Sequence, residues 1–94
     1  MSLQSLALLN SDFSRARGRA FARRLQQAAG AEARVDLAFQ LALARHPTDA
    51  ERQAAAEFVR SQQSQYADKP DRDERVWSDF CQMMLAANSF LYVE

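Results

Sequence analysis

Glycine and proline each occur only twice in the 94 residues, and cysteine and histidine once each. So few turn formers and helix breakers leave little punctuation for a sheet of short strands. A single thiol, Cys81, excludes an internal disulfide and also the paired cysteines of a covalently attached haem. One histidine, His46, falls short of the two or more nitrogen or sulfur ligands that a zinc or iron site normally draws from one domain. No stretch approaches the roughly 20 apolar residues of a membrane span, and the start has no basic region leading into a long apolar run, as a signal peptide would. Met1-Ser2-Leu3 reads as an expression start placed before an internal segment. Charge of one sign is lacking too: twelve basic residues balance twelve acidic ones, so the chain as a whole exerts no long-range pull on nucleic acid or an anionic surface.

What is present is apolar sequence at helical spacing, at 48% hydrophobic against 26% charged, which predicts an all-α domain spanning residues 1–94. Leu3, Leu6, Ala7 and Leu9 suggest a short first helix ending at Asn10-Ser11-Asp12, residues that favour caps. A second helix is expected from Asp12 to Ala29, with Phe13, Ala20, Phe21, Leu25 and Ala28 inward and Gly30 closing it. Glu32 to Arg45 carries Val35, Ala38, Phe39, Ala42 and Leu43 on one stripe, with Leu37 and Leu41 beside it, so this helix is apolar over much of its circumference. Pro47 ends that run, and Thr48-Asp49-Ala50-Glu51 forms a capping box for a helix from Asp49 to about Tyr66, with Ala54, Ala55, Phe58, Val59 and Tyr66 inward. Ala67 to Asp73 is the one clear loop. The final helix, Asp73 to Ala87, places Trp77, Phe80, Cys81, Met84 and Leu85 three and four apart and should be central. Phe90-Leu91-Tyr92-Val93 follows as an extended apolar tail. The expected fold is a compact bundle of four main helices with a short N-terminal helix and that tail.

Charge is unevenly distributed along the chain. Residues 1–30 hold five arginines against Asp12, whereas residues 31–94 hold seven basic and eleven acidic groups, so the two segments should attract one another. At 100° per residue Arg15, Arg19 and Arg23 fall within an arc of about 80°, with Arg17 and Arg24 almost opposite. The first three are expected to face outward as a ladder able to meet phosphate, sulfate or an acidic partner, while Arg17 and Arg24 border the core and snorkel or pair with acids from the C-terminal part.

No catalytic constellation emerges. Cys81 lies among Trp77, Phe80, Met84 and Leu85, surroundings that raise a thiol pKa and suit a buried structural residue. His46 reads as an exposed connector before Pro47. Asp36 and Asp79 are single carboxylates with no partner identifiable from spacing. A helix-turn-helix drawn through Arg45-His46-Pro47-Thr48 fails on charge, because Asp49, Glu51 and Glu57 outnumber Arg52 and Arg60 on the would-be reading helix. Nucleic acid is therefore not an expected partner, and no metal or cofactor is assigned.

Three segments, Gln4–Phe13 (QSLALLNSDF), Ala38–Glu51 (AFQLALARHPTDAE) and Phe80–Glu94 (FCQMMLAANSFLYVE), together resemble the C-terminal end of the planctomycete-specific domain of unknown function numbered fifteen fifty-three. That domain accompanies planctomycete-type cytochrome c domains in large proteins. Ser89 stands where the family usually shows glutamate, and Ala86-Ala87 where it shows Asn-Ser. The resemblance implies the C-terminal fragment of a larger exported bacterial protein, periplasmic or in the cell envelope, with haem confined to other parts of it. The expected role is a structural or protein-interaction module, not an enzyme in isolation. Its partner would be the upstream region of the same protein or another envelope protein, met through Arg15, Arg19 and Arg23 or through Phe90, Leu91, Tyr92 and Val93. The alternative is a non-catalytic part of an enzyme whose active site lies upstream, acting on polysaccharide or in electron transfer.

Overall fold

The computed structural model describes residues 12–93, and the side chains of residues 12–87. Four helices make up the described chain: α1 (Asp12–Leu25), α2 (Ala31–Leu43), α3 (Asp49–Gln65) and α4 (Arg72–Val93), with no strand among these residues. The architecture is all-α, as the spacing predicts. The expected short helix over Leu3–Leu9 lies outside the described residues.

The helix α4 is the axis around which the others pack. Val76, Phe80 and Cys81 are fully buried, Trp77 and Met84 nearly so; of the stripe expected at spacings of three and four only Leu85 is partly buried. Against it sit Phe21, Ala22 and Leu25 of α1, Val35, Ala38 and Phe39 of α2, and Ala55 and Val59 of α3. The Trp77 ring meets the Phe80 ring edge-on, with centroids 5.5 Å apart, and Phe58 reaches Phe80 from α3 at 6.1 Å. Such geometry directs the positive ring edge onto the negative ring face. Each of these large side chains is worth about 1.5–3 kcal/mol on burial. Arg34 fastens the rim of this core. Its Nε donates to the Ala28 carbonyl at 3.1 Å, its Nη1 to Asp73 Oδ2 at 3.2 Å, and its guanidinium lies over the Trp77 ring.

The most extensive helix contact is between α1 and α4, and Gly18 makes it possible. A Cβ at Gly18 would lie 2.9 Å from the Ser78 carbonyl oxygen and 3.2 Å from Gln82 Cβ. The buried face of α1 is accordingly Gly18, Phe21, Ala22 and Leu25. This corrects the face read from hydrophobicity alone: Phe13 is 66% exposed, and Ala20 also faces solvent. Apolar character misled there because the close contact selects small size.

Helix ends follow their caps. α1 stops at Leu25, four residues earlier than expected, through tighter turns in which Gln26 and Ala28 donate to the carbonyls of Arg23 and Leu25. Gly30 has a φ of 94° and caps the start of α2, not the end of α1. α2 ends before Pro47 because Ala44 takes the left-handed conformation, its N–H bonding Gln40 O. That conformation costs a residue with a Cβ about 1–2 kcal/mol. The capping box at Thr48 and Glu51 starts α3 as expected, each side chain bonding the other's backbone N–H at 3.1 and 2.9 Å. Ala54 is exposed where an inward position was expected, and Leu41 of α2 is 41% exposed. α4 continues to Val93. The expected extended tail over Phe90–Val93 is therefore helical in its backbone, and the side chains of Phe90, Leu91, Tyr92 and Val93 lie outside the described residues.

Alanine has a helix propensity about 1 kcal/mol better than glycine, so Gly18→Ala would stabilise an open helix. Here the new methyl meets a backbone carbonyl, and overpacking of that kind costs about 1–3 kcal/mol. The expected outcome is net destabilisation, larger for Gly18→Val, which gains less propensity and adds more volume. A urea titration in which Gly18→Ala is more stable than the parent would show that α1 and α4 are not so closely apposed.

Candidate functional site

A concentration of polar side chains lies in a groove of about 380 Å³ between α1, the end of α3 and the first half of α4. Arg15 and Arg19 form one wall, Glu74, Ser78 and Gln82 the other, and Tyr66, Asp71, Arg75 and Asp79 close the end. Asp79 is its best-held group. Its Oδ2 accepts from the Tyr66 hydroxyl at 2.6 Å and from Gln62 Nε2 at 2.8 Å, so one carboxylate oxygen ties α3 to α4. The hydrogen bond to Asp79 and partial burial raise the Tyr66 pKa above that of a free phenol, because ionising it would set two negative charges together. Arg75 adds to the cluster, its Nε donating to Asp71 Oδ1 at 2.8 Å while its guanidinium lies over the Tyr66 ring. The partner that the sequence could not supply for Asp79 is thus Tyr66, thirteen residues earlier. The available signal was Tyr66 itself, since an inward tyrosine needs an acceptor for its hydroxyl.

Arg15, Arg19 and Arg23 share one side of α1 and are exposed, as the helical angle predicts. Their outlook differs from a free solvent face. Arg15 pairs with Asp12 at 3.3 Å, and the ladder runs beside the acidic start of α4. Arg19 and Arg23 border a small recess that also contains Arg34, Asp73 and Glu74. Arg17 and Arg24, expected to snorkel along the core, are exposed on the other flank of the buried face. Both rows therefore flank the contact with α4, because the contact is centred on Gly18 and not on Phe13 and Ala20.

A second polar cluster braces the turn between α2 and α3. Asp36 Oδ1 lies 2.9 Å from His46 Nδ1 and 3.5 Å from Arg52, and Asp36 Oδ2 accepts from Gln40 at 2.7 Å. The hydrogen bond from His46 is the main cause of an Asp36 pKa below the ordinary carboxylate value. Arg45 binds both oxygens of Glu51 at 2.8 and 2.9 Å. This fork, together with the backbone N–H of Thr48, lowers the Glu51 pKa to about 2. His46 is exposed, as expected, but it has a carboxylate partner, Asp36, ten residues earlier in the chain.

Cys81 is fully buried, and desolvation alone pushes its thiol up to about 12. Among the described residues no three histidine, cysteine, aspartate or glutamate side chains are grouped to hold a metal ion, and no helix is long and apolar enough to cross a membrane.

Two measurements follow from these environments. Glu51 has a folded-state pKa depressed from 4.5 to about 2, so its charge contributes stability that is present above the unfolded value and lost as pH falls through that interval. Glu51→Gln keeps a side chain able to complete the capping box but removes the charge. The difference in urea midpoint between parent and variant should be full at neutral pH and vanish by about pH 2. A difference independent of pH would show that the Arg45 fork does not carry it. Cys81 should resist thiol reagents at neutral pH until the protein unfolds, since the reactive species is the thiolate. Labelling in native buffer as fast as in denaturant would place the thiol at the surface.

Residues 1–59 match the family described as "Protein of unknown function (DUF1553)", designated PSD1. No curated protein and no solved structure matches the chain. The family match takes in α1, α2 and the first part of α3, with two of the three resembling segments, Gln4–Phe13 and Ala38–Glu51, while Phe80–Glu94 lies beyond it. Over half of its length, then, including the capping box and the Gly18 helix, the chain carries the pattern of this family, and it belongs to DUF1553.

Proposed function

We propose that this domain is a non-catalytic packing and interaction module of a larger bacterial envelope protein, docking onto another region of that protein. The observation that carries the reading is the outer surface of α1. It holds five exposed arginines, and among the described residues only Arg15 has a carboxylate partner, Asp12. Phe13 stands beside them at 66% exposure, with Arg17 over its ring. Exposed arginines, four of them without a carboxylate partner among the described residues, beside an exposed aromatic have the composition of an interface.

The carboxylates held by several partners support the same reading, because their geometry joins helices. Asp79 links α3 to α4 through Gln62 and Tyr66, and Asp36 holds the α2–α3 turn through His46 and Arg52. The envelope location rests on the family resemblance.

The test separates the two functional readings. The longer protein is made without residues 12–93, and the isolated folded domain is titrated into it by calorimetry. The module reading predicts saturable association that leaves the helical content of the domain unchanged. An absence of association, or an activity of the intact protein that is abolished by the deletion and depends on Tyr66 or Asp79 point variants, would instead favour a part in an active site.

A further inference from the structure

Resting on the interaction reading above, we infer that the recess between α1, α2 and α4 is the docking site for an acidic, amphipathic polypeptide segment. This recess has a volume of about 400 Å³ and a floor of Ala20, Phe21, Leu41 and Leu85, with Arg17 and Arg24 on its rim. Leu41 is 41% exposed there, a large apolar side chain open to solvent.

The electrostatics choose between the two arginine rows. The ladder of Arg15, Arg19 and Arg23 shares its grooves with Asp71, Asp73, Glu74 and Asp79, so its field is largely compensated within the molecule. Among the described residues the recess has no acidic residue on its lining, and neither Arg17 nor Arg24 takes part in an ion pair. An occupant must therefore bring both carboxylates for the rim and apolar side chains for the floor.

Those requirements define the partner class. A helix with leucine-type side chains at i, i+3, i+4 and i+7, flanked by glutamate or aspartate, supplies both along one face. An acidic polysaccharide supplies the charge but has no alkyl chains for the floor. An anionic bilayer supplies both but is flat, whereas the apolar surface here is recessed between three helices. Arg24 and Arg17 lie seven residues apart, two helical turns along α1, a span that matches carboxylates two turns apart on a helix lying alongside.

The probe is a fluorescein-labelled synthetic helix with leucines at those positions and glutamates on both flanks, titrated with the domain and followed by anisotropy. Saturable binding is expected, weakening as salt is raised because the rim contacts are exposed. Arg17→Gln together with Arg24→Gln should weaken it about tenfold, the combined value of two rim charges. Arg15→Gln, Arg19→Gln and Arg23→Gln together should leave the affinity within about twofold. Circular dichroism confirms that both variants are folded, and Leu41→Ser, which alters the floor without touching charge, should also weaken binding. Equal losses from the two arginine sets would overturn the assignment by showing that only net charge is read. Tighter association with phosphatidylglycerol vesicles or heparin than with the peptide would overturn it too. If the domain associates with the rest of its own protein but Arg17 and Arg24 make no difference, this site is wrong while the module reading stands.

Discussion

At Gly18 the backbone of α1 rests against α4, with room for a hydrogen but not for a methyl beside the Ser78 carbonyl. The remaining arrangement depends on that contact. With α1 pressed so close, Phe21, Ala22 and Leu25 reach the stripe of α4 that carries Val76, Trp77, Phe80 and Cys81, and α2 and α3 complete the enclosure from the other sides. Close approach increases the number of atom pairs at optimal separation, each weak but collectively decisive in a core of this size. It also fixes the rotation of α1, and thereby which arginines face which groove.

The polar groups around this core serve as fasteners. Arg34 holds the α1–α2 turn to α4 by way of Ala28 O and Asp73. Asp79 receives donors from α3 on one oxygen, while Asp36 and Glu51 secure the α2–α3 turn. Bonds of this kind contribute about 0.5–1.5 kcal/mol each, less where the groups are solvated. They choose one packing of the helices from among several that the apolar stripes alone would allow, and burial supplies most of the stability.

The parts legible in the sequence were those in which one helix carries its own signal. Trp77, Phe80, Cys81 and Met84 recur at helical spacing, and Thr48 with Glu51 forms a local cap, so both could be read without knowing the fold. The rotation of α1 could not be read in that way. A hydrophobic pattern ranks Phe13 above Gly18, whereas the contact with α4 requires the smaller residue. The pairing of Asp79 with Tyr66 and Gln62 was hidden for a different reason, since it depends on how α3 crosses α4. The apolar run at Phe90–Val93 suggested a strand-like tail because its residues are aromatic or β-branched. In the structure the backbone helix continues through it, as the preceding turns of α4 provide a template on which adding a residue is easier than starting anew. Arg17 and Arg24 do border the core at Phe21, but with no acidic partner among the described residues they remain exposed and form a basic rim beside Leu41.

All the other helices depend on α4, and native-state hydrogen exchange tests this most directly. If the core is arranged in this way, the amides from Val76 to Met84 exchange only through global unfolding, with a free energy equal to that from urea titration. Exchange of those amides through a lower-energy local opening, while Val35 to Phe39 of α2 stay protected, would contradict it.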